Sequence, residues 1–167
     1  MFLRLHSFPS RSEACDGLID IDADTLAEQW YWNLWKTRSF PFRDLTDGTQ
    51  VALVASWSGG KRIAWLVQAA DVIAERADGW QQAVDLLADH TELGRDRVLK
   101  NAYTADKQGS DVRYVLAWRV VPIRRLDLPW PDGLRFGGNG WLEAGRAELG
   151  IHECDTRGVR VATAGRL

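Results

Sequence analysis

The sequence predicts an α+β fold, a small curved β-barrel or sheet with helices packed against it. Three observations predict this class. Two apolar runs, 51–57 and 62–72, flank Ser58-Gly59-Gly60 and read as a hairpin. Val112, Tyr114, Leu116, Trp118 and Val120 alternate with less apolar neighbours, as a long strand does. Between these, Trp80, Val84, Leu87 and Ala88 recur at helical spacing. Strands and helices are interspersed through hairpins rather than repeated crossovers.

The elements follow in order. Residues 1–7 read as a short strand with Phe2, Leu3 and Leu5 apolar, stopped by Pro9. A polar loop leads to Leu18-Ile19-Asp20-Ile21, a second extended piece or a helix entry. Thr25 and Glu28 have capping-box spacing, and Leu26, Trp30 and Leu34 recur every four residues, which predicts a helix over 26–36. On it Ala27, Tyr31 and Trp35 form the adjoining stripe, and Trp32 points elsewhere. After Phe40-Pro41-Phe42, Asp47-Gly48 makes a turn into the hairpin. The run 62–72 is apolar on both faces and so reads as a central strand. Asp78 caps the following helix, and a shorter helix is expected near 95–101. Pro122 ends the long strand, 124–140 reads as loop, and 141–149 as a last helix. The most economical division is one domain over 1–150 and a tail over 151–167.

Apolar residues make up 46% and charged residues 26% of 167 positions, which fits a folded chain and argues against disorder. The apolar stretches are too short to span a bilayer, and the N-terminus lacks the pattern of a secretory signal. Two cysteines, Cys15 and Cys154, make no disulfide framework, so a reduced cytoplasmic setting is expected, without membrane partners. Net charge is −2, but charge is unevenly spread. Five acids and no base lie between Asp16 and Glu28; Lys36, Arg38 and Arg43 follow without an acid between them. Arg113, Arg119, Arg124, Arg125 and Arg135 come later. Such a chain can present one polyanion-facing side, or these can be ordinary solvated charges.

Signals for catalysis or metal binding are weak. Asp20, Asp22 and Asp24 alternate like the start of a calcium loop but lack its glycine and closing glutamate. His152, Cys154 and Asp155 do not complete a four-ligand set. Nothing local activates Cys15 or Cys154 towards His6 or His90. Gly137-Gly138-Asn139-Gly140 lacks the Lys-Ser/Thr of a phosphate loop and reads first as a turn and helix cap. No catalytic residue, metal or cofactor is therefore assigned.

The nine tryptophans carry more information. Trp30, Trp80 and Trp118 sit on apolar stripes and read as core. For Trp32, Trp35 and Trp57, core and pocket remain open alternatives, because an indole that packs can also stack on a base.

Several short motifs resemble the EVE domains of the PUA-like superfamily, related to YTH and ASCH domains. Leu5-His6-Ser7-Phe8-Pro9 is similar to the Lys-Ser-Glu-Pro segment that opens them, with Phe8 in place of the glutamate. Trp32, Trp35, Arg38 and Arg43-Asp44-Leu45 resemble the family's tryptophan, basic stretch and Arg-Asp-Met run. Asp47-Gly48-Thr49 stands where the family has a Gly-Asp turn, with the dipeptide reversed, and an acidic insertion precedes Trp30. The hairpin over 51–72 and the strand over 115–128 resemble the barrel hairpin and closing strand. The resemblance spans residues 1–130.

It implies a PUA-like fold and a non-enzymatic reader of DNA or RNA that holds a methylated or flipped base in an aromatic pocket. Trp35 matches the family position for a wall of that pocket, with Trp32 and Trp57 as partners. Ser7 and Asn33 are expected at the base edge, and Arg38, Arg43, Lys61 and Arg62 at phosphates. A nuclease or other effector protein is the partner expected of such a reader. Two other classes stay open: a small-molecule or nucleotide-binding enzyme using the same pocket, and a protein-interaction module with exposed tryptophans.

Overall fold

Residues 1–7, 13–57, 59–101 and 111–152 are described by the computed structural model. Their elements are β1 (Phe2–Ser7), α1 (Glu13–Asp20), α2 (Ala23–Ala27), β2 (Trp30–Trp35), β3 (Gln50–Trp57), β4 (Gly60–Ala77), α3 (Trp80–Thr91), α4 (Arg95–Asn101), β5 (Arg113–Pro129) and β6 (Trp141–Glu143). The strands form one mixed sheet in the order β2-β5-β4-β3-β1-β6. The α+β class, the β3–β4 hairpin, the internal position of β4 and helices α3 and α4 agree with the sequence reading.

Several expectations are overturned. The helix over 26–36 is absent: α2 stops at Ala27 and β2 begins at Trp30. Leu26, Trp30 and Leu34 do recur every four residues, but Trp30 and Leu34 also share a face at period two, and Trp and Tyr favour strands. The N-cap of α2 is Asp22, whose side chain accepts from the Thr25 N–H, so the capping-box assignment was displaced by three residues. Leu18 and Asp20 end a helix rather than opening one or forming a strand. β5 continues through Pro122 to Pro129; proline interrupts a strand only where its missing N–H is needed in the ladder.

The helix over 141–149 is overturned as well. Trp141 and Leu142 pair with Arg4 and Leu3 of β1 instead. Tight turns follow, with the Leu149 N–H donating to the Gly145 carbonyl. At α3 the cap position falls to Gly79 rather than Asp78, and the Asp78 N–H donates to Gln82 Oε1.

The chain divides into two compact units: Met1–Ile21, Gln50–Val67 and Pro122–Leu167 form one, Asp22–Thr49 and Gln68–Val121 the other. In the first, β1 runs parallel to β3 from Phe2↔Val51 to Ser7↔Ser56. Leu3, Ala52, Val54, Ile63, Leu149 and Ile151 form its buried core. The last turn of α1 has no basic residue of its own, and helix ends leave carbonyls unsatisfied. Trp65 and Arg125 supply the donors: Trp65 Nε1 binds the Leu18 carbonyl at 3.0 Å, and Arg125 donates to the carbonyls of Asp20 and Ile21.

The run 137–140 makes a turn ahead of β6. Gly140 has φ +73, and a Cβ there would lie 2.4 Å from Arg4 Nη1, so only glycine suits both the backbone and the contact. Arg4 in turn donates to the Leu5 and Gly140 carbonyls and lies over Trp141.

The second unit has a core of Ala77, Trp80, Ala83, Val84, Leu87, Val98, Val115 and Ala117. Trp80 and Trp118 are buried, as their stripes predict, whereas Trp30 is only half-buried. No described helix is long and apolar enough to cross a membrane.

Candidate nucleic-acid interface

β2 carries three tryptophans in six residues, and its backbone decides where each one goes. It pairs antiparallel with β5 in the register Trp30↔Arg119 to Trp35↔Tyr114. Strand residues alternate between faces, so Trp30, Trp32 and Leu34 share one side and Tyr31, Asn33 and Trp35 the other.

The first side is structural. Trp32 and Leu34 pack against the core around Trp80 and Leu87. Trp30 meets the His90 ring edge-on, with centroids 5.4 Å apart. His90 Nε2 lies 2.6 Å from the Asp71 carbonyl, and Arg119 Nε lies 2.7 Å from Asp71 Oδ2.

The second side is graded from buried to open. Tyr31 stacks on the fully buried Trp118 at 5.2 Å. Asn33 stands across from Leu116, and Trp35 across from Tyr114. Both Trp35 and Tyr114 are half-exposed. Directly opposite residues of a strand pair project to one face, so Trp35 and Tyr114 belong to the same face of the sheet. Phe42 meets Tyr114 edge-on at 5.2 Å, and the Arg43 guanidinium lies 5.6 Å from the Phe42 ring. Buried Phe42 and Leu45 anchor a turn closed by the Phe42 N–H to Ser39 and the Leu45 N–H to Pro41. That turn leaves Arg43 exposed. Arg38 is exposed as well, and Lys36 pairs with Asp111 at 3.9 Å, both more than half exposed. An exposed pair at that distance restrains a lysine only weakly.

The expected site residues therefore separate. Trp32, Asn33, Trp35, Arg38 and Arg43 belong to the second unit, and of these Asn33 and Trp35 share a face with Arg43 near its Phe42–Tyr114 end. Trp32 stands on the opposite face of the same strand, so it does not line a slot with Trp35. Ser7, Trp57, Lys61 and Arg62 belong to the first unit. Ser7 ends β1, in register with Ser56. Trp57 is 36% exposed at the end of β3. Its indole closes over Gly59, where a Cβ would lie 2.5 Å from Nε1. Lys61 is half-exposed at the start of β4. Arg62 is held by Asp127, through Nε to Oδ1 at 2.6 Å and Nη2 to the carbonyl at 2.8 Å. These contacts occupy donors that a phosphate would need.

Sequence reasoning missed Tyr114 as the residue opposite Trp35, and Phe42 as the ring that meets Tyr114. The alternation of 112–120 placed Tyr114 on a strand, but the register that sets it beside Trp35 is a tertiary property. An open depression of about 590 Å³ also lies in the second unit, lined by Ile73 and Leu86 with Glu75, Asp85, Asp89 and His90. Asp85 is paired with Arg95. Three carboxylates make this depression unsuited to a phosphate chain. The described residues hold no group of three or more His, Cys, Asp or Glu side chains placed to bind a metal. No family model, curated protein or solved structure matches the chain.

Proposed function

We propose that the protein is a non-enzymatic nucleic-acid-binding module of PUA-like type that reads a flipped or modified base on the Trp35–Tyr114 face. The observation that carries the reading is the register that sets half-exposed Trp35 and Tyr114 opposite each other on one sheet face, with exposed Arg38 and Arg43 on the adjoining segment. A base needs a ring to stack on, an edge partner and cations for its flanking phosphates. Trp35 serves as the platform, Tyr114 extends it, and the Asn33 amide stands two residues along the same face. Arg38 and Arg43 take the phosphates. The resemblance of 1–130 to EVE domains supports the same reading. A module without catalytic groups acts by targeting, and a nuclease or other effector is the partner that fits.

The test is a titration of labelled single- and double-stranded DNA and RNA, with and without methylated bases, at fixed salt. Trp35→Ala should weaken binding roughly 5- to 150-fold, the equivalent of one base–aromatic stack of about 1–3 kcal/mol. Arg43→Ala should weaken it less and lower the salt dependence. Absence of binding at low salt, or binding indifferent to Trp35→Ala, would falsify the proposal.

A further inference from the structure

The two edges of the sheet are protected unequally. β6 is three residues long and ends in the exposed Glu143. β2 spans six residues, Trp30–Trp35, with no charge and no proline among them. Short, charged or proline-bearing edges prevent strand addition, and a longer uncharged edge invites it.

The hydrogen-bond pattern says which groups face outward. The Val120 N–H donates to the Gln29 carbonyl, which makes Gln29–Val120 a hydrogen-bonded pair in the β2–β5 register. The alternation of an antiparallel ladder then directs the backbone groups of Tyr31, Asn33 and Trp35 inward to β5. Those of Trp30, Trp32 and Leu34 point outward. Among the described residues, no strand lies beyond β2, and no other segment pairs with those outward groups.

We infer that this edge pairs with the same edge of a second copy, antiparallel, about a twofold axis at Trp32. In that register Trp32 opposes Trp32, and Trp30 opposes Leu34 of the second copy. All of these are outward-pointing residues, so each opposed pair exchanges both of its N–H···O bonds. The flanking residues argue for self-pairing over a foreign strand. Exposed Glu28, in the turn that closes α2 just before β2, and exposed Lys36, just after β2, give the two ends of the edge opposite charges. An antiparallel self-pairing brings the Glu28 end of each copy to the Lys36 end of the other, and that charge complementarity favours this arrangement. A twofold axis normal to the sheet also keeps both Trp35 faces on one side of the joined sheet. The inference goes beyond base recognition and does not rest on it.

Sedimentation velocity on the full chain over a range from low to high micromolar, without nucleic acid, should show a concentration-dependent dimer. Lys36→Glu and Glu28→Lys each place like charges at both ends of the seam, and each should weaken dimerisation by about tenfold. The double variant Glu28→Lys/Lys36→Glu restores the pairs and should return the dimer to within about threefold of the native chain. Restoration is the specific readout, because loss of the Lys36–Asp111 contact is common to Lys36→Glu and the double variant. A monomer at every concentration overturns the inference and leaves the edge to a strand of another protein. A dimer unaffected by either single substitution, or one the double variant fails to restore, overturns it equally.

Discussion

Trp65 and Trp35 are both strand tryptophans with cations nearby, and they have opposite fates. Trp65 is 5% exposed, with its N–H on the Leu18 carbonyl and the Arg125 guanidinium 4.7 Å from its ring. Arg125 spends its donors on the last carbonyls of α1, where a cation also suits the helix dipole. Trp35 is half-exposed on the outer strand β2. An arginine beside an indole is therefore no mark of a ligand site by itself. The destination of the donors decides, and in the first unit they close the end of a helix.

The largest test of this contrast is truncation of each indole. Trp65→Ala removes a buried ring and should cost roughly 3–5 kcal/mol, whereas Trp35→Ala should cost less than about 1 kcal/mol. Chemical denaturation measures both. Equal losses would break the comparison, because Trp35 would then be core. Trp65→Phe sharpens it by keeping a ring under Arg125 while leaving the Leu18 carbonyl without its donor, for about 1–2 kcal/mol.

A smaller effect is expected at Gly140. Its left-handed φ and the Arg4 guanidinium packed against it predict a loss of about 1–2 kcal/mol for Gly140→Ala. Arg4 must also shift off Trp141, so the emission of that buried indole should change with the stability. Gly59→Ala makes the opposite prediction. Its φ is not left-handed, and the added Cβ meets only the exposed Trp57 ring, so stability should stay within about 0.5 kcal/mol. The displaced indole should become more accessible to acrylamide quenching. Unchanged quenching would mean that Trp57 does not rest on Gly59.

Period and punctuation made much of this fold legible. The repeat Trp80, Val84, Leu87 located α3, and Gly59-Gly60 located the hairpin. β2 was illegible for a physical reason: with aromatic residues on both faces, a strand shows no apolar–polar alternation, and its even positions mimic a helical repeat. The same ambiguity hid the division between Trp32 and Trp35, which follows at once from the strand's period. At the candidate site, the sequence singled out Trp35, Asn33, Arg38 and Arg43, and the strand period puts Asn33 and Trp35 on one face. Tyr114 and Phe42 were not singled out, because strand register sets Tyr114 opposite Trp35 and the turn over 40–45 brings Phe42 to Tyr114. The binding of Arg62 to Asp127 was equally hidden, since it joins positions far apart in the chain.

The smallest expected effect separates the two ways in which helix ends are held. α1 is closed from outside by Trp65 and Arg125, whereas α2 is opened by its own Asp22. Asp22 Oδ1 accepts the Thr25 N–H and Oδ2 accepts the Thr25 hydroxyl, each at 2.8 Å. The backbone bond first, and the hydroxyl second, hold this carboxyl below its ordinary value of 3.8. A group with a depressed folded pKa stabilises the fold fully above the ordinary carboxylate range. That contribution is lost as pH falls through the ordinary value to the lowered one. The stability difference between the native chain and Asp22→Ala should therefore be largest near neutral pH and shrink on acidification below about pH 4. Because Asp22 is exposed, the difference is small throughout, and paired denaturation curves at several pH values are needed to see it. The Trp65→Phe difference rests on a neutral donor and acceptor, so the same acid step should leave it unchanged. If both differences shrink together, α1 and α2 are not held by distinct means, and the contrast between an external and a local cap fails.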